Sequence, residues 1–244
     1  MSEIPKKIIV FTPFKVASCT IVHTLRRLGY IVRQQDQGQL DKYYKNKYFV
    51  VKGHVIDTES TIFASDKKYD LWITIVRPPS HMYLSGYFQD IENPKYPYYF
   101  GDQQKIQNSN SQVLMKHFLS FPWNKFRQYS FDFNFEEIKK NTGVDIWNEP
   151  FNIDQGYQIY NSKTDLCKKV CVIRFDQINN ISIIAKMFNE LRIPFTGLKN
   201  DNLSIKKWYG KIYAVMKRLL PREYYERYKE DDQKILDKFY KINS

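Results

Sequence analysis

The chain has 244 residues, enough for one large α/β domain or at most two small ones, and its 43% hydrophobic content supplies a core and excludes disorder. Lys and Arg outnumber Asp and Glu by 38 to 26, and the resulting formal charge of +12 fits an anionic partner: nucleic acid, a phosphorylated cofactor, an acidic glycan or an anionic membrane. Met1 to Lys7 is polar, no stretch approaches the ~20 apolar residues of a membrane span, and the three cysteines suit neither a disulfide framework nor zinc, so the expectation is a soluble, cytoplasmic chain with reduced thiols and no transmembrane segment.

Ile8-Ile9-Val10-Phe11 is short, apolar and largely β-branched, and reads as a buried strand. Ile21, Val22, Leu25 and Leu28 then recur at helical spacing. The loop between them, "TPFKVASCT", carries Lys15, Ser18 and Thr20 into the first turn of that helix. Backbone N–H groups and the positive end of a helix dipole make such a strand–loop–helix junction an anion-binding architecture. The loop contains no glycine, so it is not the G-x-x-x-x-G-K-[ST] loop of nucleoside triphosphatases.

A second strand, Tyr48 to Lys52, runs into Gly53-His54, and a third, Leu71 to Val76, stops at Arg77-Pro78-Pro79. Asp57 to Ala64 has moderate helix character, which gives strand–helix–strand spacing of a parallel crossover. The proline pair opens a helix over His81–Asp90. Residues 91–107 read as a long surface loop whose Tyr96, Tyr98, Tyr99 and Phe100 either offer flat faces to sugar rings or pack onto the domain. Val113–Phe118 and Phe135–Lys140 read as helical, Val170–Ile173 as a fourth buried strand ending at Arg174, and the last forty residues as two or three amphipathic helices. No repeat or linker divides the chain, so a single domain over residues 1–244 is expected.

In a parallel sheet, the groups that follow strand ends line one edge: Lys15 and Ser18 after the first strand, His54 after the second and Arg77 after the third. His54 suits a general base, because an unperturbed pKa near ~6.5 leaves it mostly neutral at physiological pH. A guanidinium at Arg77, with the Ser85 hydroxyl two helical turns later, suits a phosphate. His23, His81 and His117 lie on predicted helices and read as ordinary helix-surface residues. Arg174, Lys206 and Lys207 are further cations that can reach a cofactor or acceptor.

"TPFKVASCT", "VVKGHVID" and "WITIVRPPSHMYLSGYF" resemble, in sequence and order, three landmark segments of the sulfotransferases that use 3′-phosphoadenosine 5′-phosphosulfate (PAPS). The first segment resembles in particular the K-x-A-S form of the heparan sulfate 2-O-sulfotransferase-like and polysaccharide-type branch, and "GHV" resembles the catalytic-histidine stretch of the same branch. "KKVCVIRFDQI" resembles that family's late strand and acidic turn, and "KEDDQKILDKFY" its closing helix. The resemblance implies a single-domain P-loop-NTPase-like α/β fold, with a mainly parallel central sheet flanked by helices and a helical C-terminal region. It implies a 5′-phosphosulfate loop over Lys15, Val16, Ala17, Ser18, Cys19 and Thr20, a 3′-phosphate element of Arg77 and Ser85, and His54 as catalytic base. Lys15 would act in catalysis as well as in binding. Cys19 stands where Ser or Thr is common, and Pro78 where Asp is frequent.

The activity so implied moves a sulfuryl group from PAPS to a hydroxyl of a carbohydrate or polysaccharide, leaving adenosine 3′,5′-bisphosphate, with no metal. Three rivals compete. A catalytically silent PAPS-binding protein would keep the fold alone. A basic nucleic-acid-binding module would use the same charge, but the sequence has no zinc-finger spacing, ribonucleoprotein motif or dense Arg/Lys cluster, so no nucleic-acid partner is expected. A phosphoryl-transfer enzyme would need the missing P-loop and a Mg²⁺-binding aspartate.

Overall fold

Ile8, Ile9 and Val10 are fully buried at the centre of the sheet. Their strand, β1 (Lys7–Thr12), lies between β3 (Phe49–His54) and β4 (Tyr69–Val76), and it pairs parallel with both. A strand covered on both faces needs a continuous apolar run and shows no alternation. The structure is a computed structural model that describes residues 3–13, 16–34, 49–54, 68–126, 130–198 and 207–241.

The sheet has six strands in the order β2-β3-β1-β4-β6-β5, with β2 (Ile31–Gln34), β5 (Tyr157–Asn161) and β6 (Cys167–Arg174) completing it. Five strands are parallel, and β5 runs antiparallel against β6. The fold is thus α/β around a mostly parallel sheet, as expected. The second and third predicted strands are β3 and β4. They run parallel but are not neighbours, because β1 is inserted between them. The predicted helix over Asp57–Ala64 lies outside the described residues.

Helix α1 (Ser18–Arg27) follows β1, and its buried Ile21, Val22 and Leu25 pack on the sheet. Helix α2 (Ser80–Asp90) follows β4 and is buried nearly all round, from Met82 to Phe88. The predicted long loop contains a short helix, α3 (Gln103–Gln107), capped by the Asp102 carboxylate, which accepts from the Lys105 N–H at 2.8 Å. Then come α4 (Ser111–Leu119), somewhat longer than its predicted span, and α5 (Phe131–Thr142), twice as long as its own, with four more residues at its start and two at its end. α5 begins at a Ser130 cap and ends at Gly143, whose φ of 69° is the left-handed geometry that glycine takes without penalty.

After β6 come α6 (Ile181–Glu190), α7 (Gly210–Leu219), α8 (Arg222–Arg227) and α9 (Lys229–Phe239), so the expected helical C-terminal region is present. Among the described residues no helix is long and apolar enough to cross a membrane. The cysteines are free thiols. Cys167 and Cys171 are buried in β6, and burial pushes the Cys167 thiol up to about 12.

Candidate functional site at the carboxyl edge of the sheet

Parallel pairing decides where the strand ends lie. In the β1–β3 register Thr12 is opposite His54, so the last residues of these strands stand side by side. In the β4–β6 register Val76 is opposite Arg174, and Arg77 leaves the sheet at the same level. The chain leaves β1 toward one side of the sheet and β4 toward the other, which makes the β1–β4 crevice the topological switch point where open α/β sheets bind ligands. Asn134 of α5, fully buried, pins that crevice from one face. Its amide donates to the Phe11 carbonyl at 3.3 Å and accepts from Thr74 Oγ1 at 2.9 Å.

Two helices begin near this edge, and their N-termini differ. α1 starts at Ala17, a non-glycine residue at φ 64° and ψ 27°, with no side-chain cap and no acidic residue in its first turn. Val16, Ser18 and Thr20 are buried there and Cys19 is half-buried. The Thr20 N–H turns back to the Ala17 carbonyl at 2.9 Å. α2, by contrast, is already matched to an anion. Asp232 of α9 accepts from the Ser80 N–H at 2.9 Å and from Ser80 Oγ at 2.5 Å, while Tyr224 Oη donates to the Ser80 carbonyl at 2.6 Å. Burial holds the Asp232 carboxyl above its usual range despite those Ser80 donors. The positive end of α2 is therefore neutralised from within the protein, whereas the first turn of α1 has no acidic residue of its own.

Arg77 is mostly buried at the end of β4, its guanidinium carbon 4.1 Å above the Phe175 ring. Burial favours its neutral form, and a hydrogen bond with Tyr213 and the nearby Tyr240 phenol work against that shift. Guanidinium stays protonated in proteins, so Arg77 is a desolvated cation whose face is stacked and whose in-plane N–H groups can meet an anion. Tyr240 Oη donates to the Val76 carbonyl at 3.1 Å, which fixes the strand end beside it. His81, facing solvent on the first turn of α2, loses its proton more readily than usual through partial burial and the charges of Arg77 and Lys217. Ser85 is buried further along α2.

Lys15 and Lys206 lie outside the described residues, and His54 is described by its backbone alone. His54 is itself the last residue of β3, which runs two residues beyond the predicted strand. Arg174 is spent on structure: Nε and Nη2 grip Asp176 at 3.0 and 2.7 Å, Nη1 donates to the Ile153 carbonyl at 2.9 Å, and the guanidinium lies 4.9 Å from the Tyr240 ring. Lys207 Nζ sits 5.6 Å from the Tyr209 ring centre.

Of the two readings of the tyrosine loop, packing is the one realised. Tyr98 is fully buried, 4.9 Å from Trp123 and 5.2 Å from Tyr96, and Phe100 meets His117 at 5.0 Å; Tyr99, 44% exposed, is the exception. The loop also begins at the far end of α2, about 16 Å along its axis from Arg77 for an eleven-residue helix.

The residues that sequence reasoning leaves out are those that position others: Asn134, Tyr213, Asp232 and Tyr240. Among the described residues no three His, Cys, Asp or Glu side chains gather to hold a metal ion. Compared with known proteins, the chain matches no family model and no curated sequence.

Proposed function

We propose that the chain is a PAPS-dependent sulfotransferase acting on a hydroxyl, within a single P-loop-NTPase-like domain. The observation that carries this reading is the convergence of three parallel strand ends, with Thr12 opposite His54 and Arg77 leaving the adjacent β4. A doubly phosphorylated donor needs two anion sites. The start of α1, with Ser18, Cys19, Thr20 and Lys15 in the same segment, is suited to the 5′-phosphosulfate. Arg77, stacked on Phe175 and backed by Tyr213, is suited to the remote 3′-phosphate, with Ser85 further on, in α2.

In the reaction, the acceptor oxygen attacks sulfur in line with the bridging oxygen of the 5′-phosphate. His54 takes the acceptor proton, the bond from sulfur to the bridging oxygen breaks, and the electron pair leaves with the phosphate. A positioned base is worth about 10²–10⁴ in rate. Donors from Lys15 and the first turn of α1 neutralise the departing phosphate, and losing one costs roughly 3–4 kcal/mol of transition-state stabilisation if it behaves as an oxyanion donor does.

The test is a thermal-shift comparison of adenosine 3′,5′-bisphosphate with ATP. At 100 times its dissociation constant the bisphosphate should add about 2.7 kcal/mol of stability. Stabilisation by ATP alone would end the proposal. His54→Ala should bind the bisphosphate normally and lose turnover, and full activity in that variant would remove the base. Arg77→Ala should weaken bisphosphate binding in calorimetry, and unchanged affinity would exclude Arg77 from the site.

A further inference from the structure

The opposite edge of the sheet, where the parallel strands begin, holds a second charged feature. Lys6 precedes β1 and Lys7 opens it, Lys68 precedes β4, Lys168 and Lys169 lie at the start of β6 just after Cys167, and Arg192 follows α6, all lining one cleft of about 670 Å³. Three carboxylates, Glu3, Asp70 and Asp165, share it. Two of the three are matched locally. Asp70 accepts from Lys168 Nζ at 2.7 Å and from the N–H groups of Lys6 and Lys7 at 2.9 and 3.0 Å, while Glu3 lies 3.7 Å from Lys6 Nζ. The cleft therefore keeps a positive balance in a concave surface, where walls of low dielectric focus the field.

Arg192 supplies an independent observation. It has φ 59° in the turn that closes α6, where the Ile193 N–H donates to the Phe188 carbonyl at 2.8 Å and the Arg192 N–H to Asn189 at 2.9 Å. This is the helix-ending position that glycine usually takes, because a side chain there costs about 1–2 kcal/mol. Here the fold places a long, exposed cation at that position, on the wall of a basic cleft. Backbone strain of this kind persists only where the surrounding structure holds it, and it clusters at functional sites.

The lining also indicates what fits. Its single aromatic, Tyr69, is only 7% exposed and gives no stacking platform for bases, which disfavours single-stranded nucleic acid. Carboxylates among the cations repel every anion alike, but they accept from hydroxyl groups, which a polysaccharide carries on each ring and a DNA strand lacks along its length. We propose that this cleft binds a segment of an acidic polysaccharide, with Lys68, Lys169 and Arg192 on its sulfate or carboxylate groups and Asp165 on its hydroxyls. The proposal rests on the sulfotransferase reading in one respect, that the polymer held here is the acceptor presented at the other edge, about 25 Å away along the eight-residue β4.

The test is calorimetry of the full chain with a heparin-derived octasaccharide, a neutral dextran fragment of equal length, and a single-stranded oligonucleotide of equal charge. The octasaccharide should bind, the dextran should not, and affinity should fall steeply between about 50 and 200 mM salt. The variant Lys68→Ala/Lys169→Ala/Arg192→Ala should lose affinity about tenfold or more while binding adenosine 3′,5′-bisphosphate unchanged. Arg192→Gly should raise the melting temperature and weaken the octasaccharide together, which separates use of the side chain from damage to the fold. Undiminished octasaccharide binding in the triple variant, or tighter binding of the oligonucleotide, overturns the proposal. A wild-type chain that binds octasaccharide but not the bisphosphate overturns the reading of the carboxyl edge and leaves the cleft standing.

Discussion

At Ala17 a methyl group is held at φ 64°, in the left-handed region, at the mouth of α1. Glycine adopts that geometry freely, so Ala17→Gly should stabilise the folded chain by up to about 1 kcal/mol in a urea titration. A destabilised variant would mean that the turn has a different geometry. Asn134 poses the converse case. Replacing it with Leu strips the buried Thr74 hydroxyl of its partner, so a loss of about 1–3 kcal/mol is expected. Neither residue announces itself in the sequence. Ala17 is an unremarkable alanine until the chain must turn sharply from β1 into α1, and Asn134 is one polar residue beside the apolar positions of α5. The groups that touch a ligand are chemically distinctive, whereas those that hold the crevice open are ordinary residue types in particular places.

Among the elements, the start of α2 depends on α9 for its cap. Asp232→Ala should cost about 1–2 kcal/mol, and amide exchange should speed up in the first turn of α2. Protection equal to wild type there would show that the cap is dispensable. The elements that were legible had strong local signals: the apolar runs of β1, β4 and β6, and the proline pair before α2. β2 has two apolar residues followed by Arg33 and Gln34, too few to define a period. β5 lies at the sheet edge, and its burial does not alternate, so its five residues show neither pattern. α6 is different, since an Asn180 cap followed by Ile183, Ile184, Met187 and Phe188 at helical spacing marks it, although it is not among the predicted elements.

For the molecule as a whole, the sequence spacing implied parallel strands but not their order. Placing β1 between β3 and β4 is a long-range outcome, and the meeting of Thr12 with His54 follows from it. The opposite edge has its own anchor in Asp70. Burial raises that carboxyl, but Lys168 and the N–H groups of Lys7 and Lys6 outweigh it and hold the group below its usual range. A depressed carboxylate contributes stability that is present above its unfolded pKa of about 3.9 and is lost as pH falls through the lower folded value. Asp70→Asn should therefore be less stable than wild type near neutrality, with the gap closing in acid, as followed by melting temperature against pH. A gap independent of pH would mean that the carboxylate's charge contributes nothing.

The bonds from Asp232 to Ser80 and from Tyr240 to Val76 span 152 and 164 residues of chain. A ribosome adding about 5–20 residues per second needs roughly 8–30 s to travel the first of those intervals. During that time the exit of β4 waits without its clasp, so the growing chain is at its most vulnerable to chaperone capture or clumping just before α9 emerges.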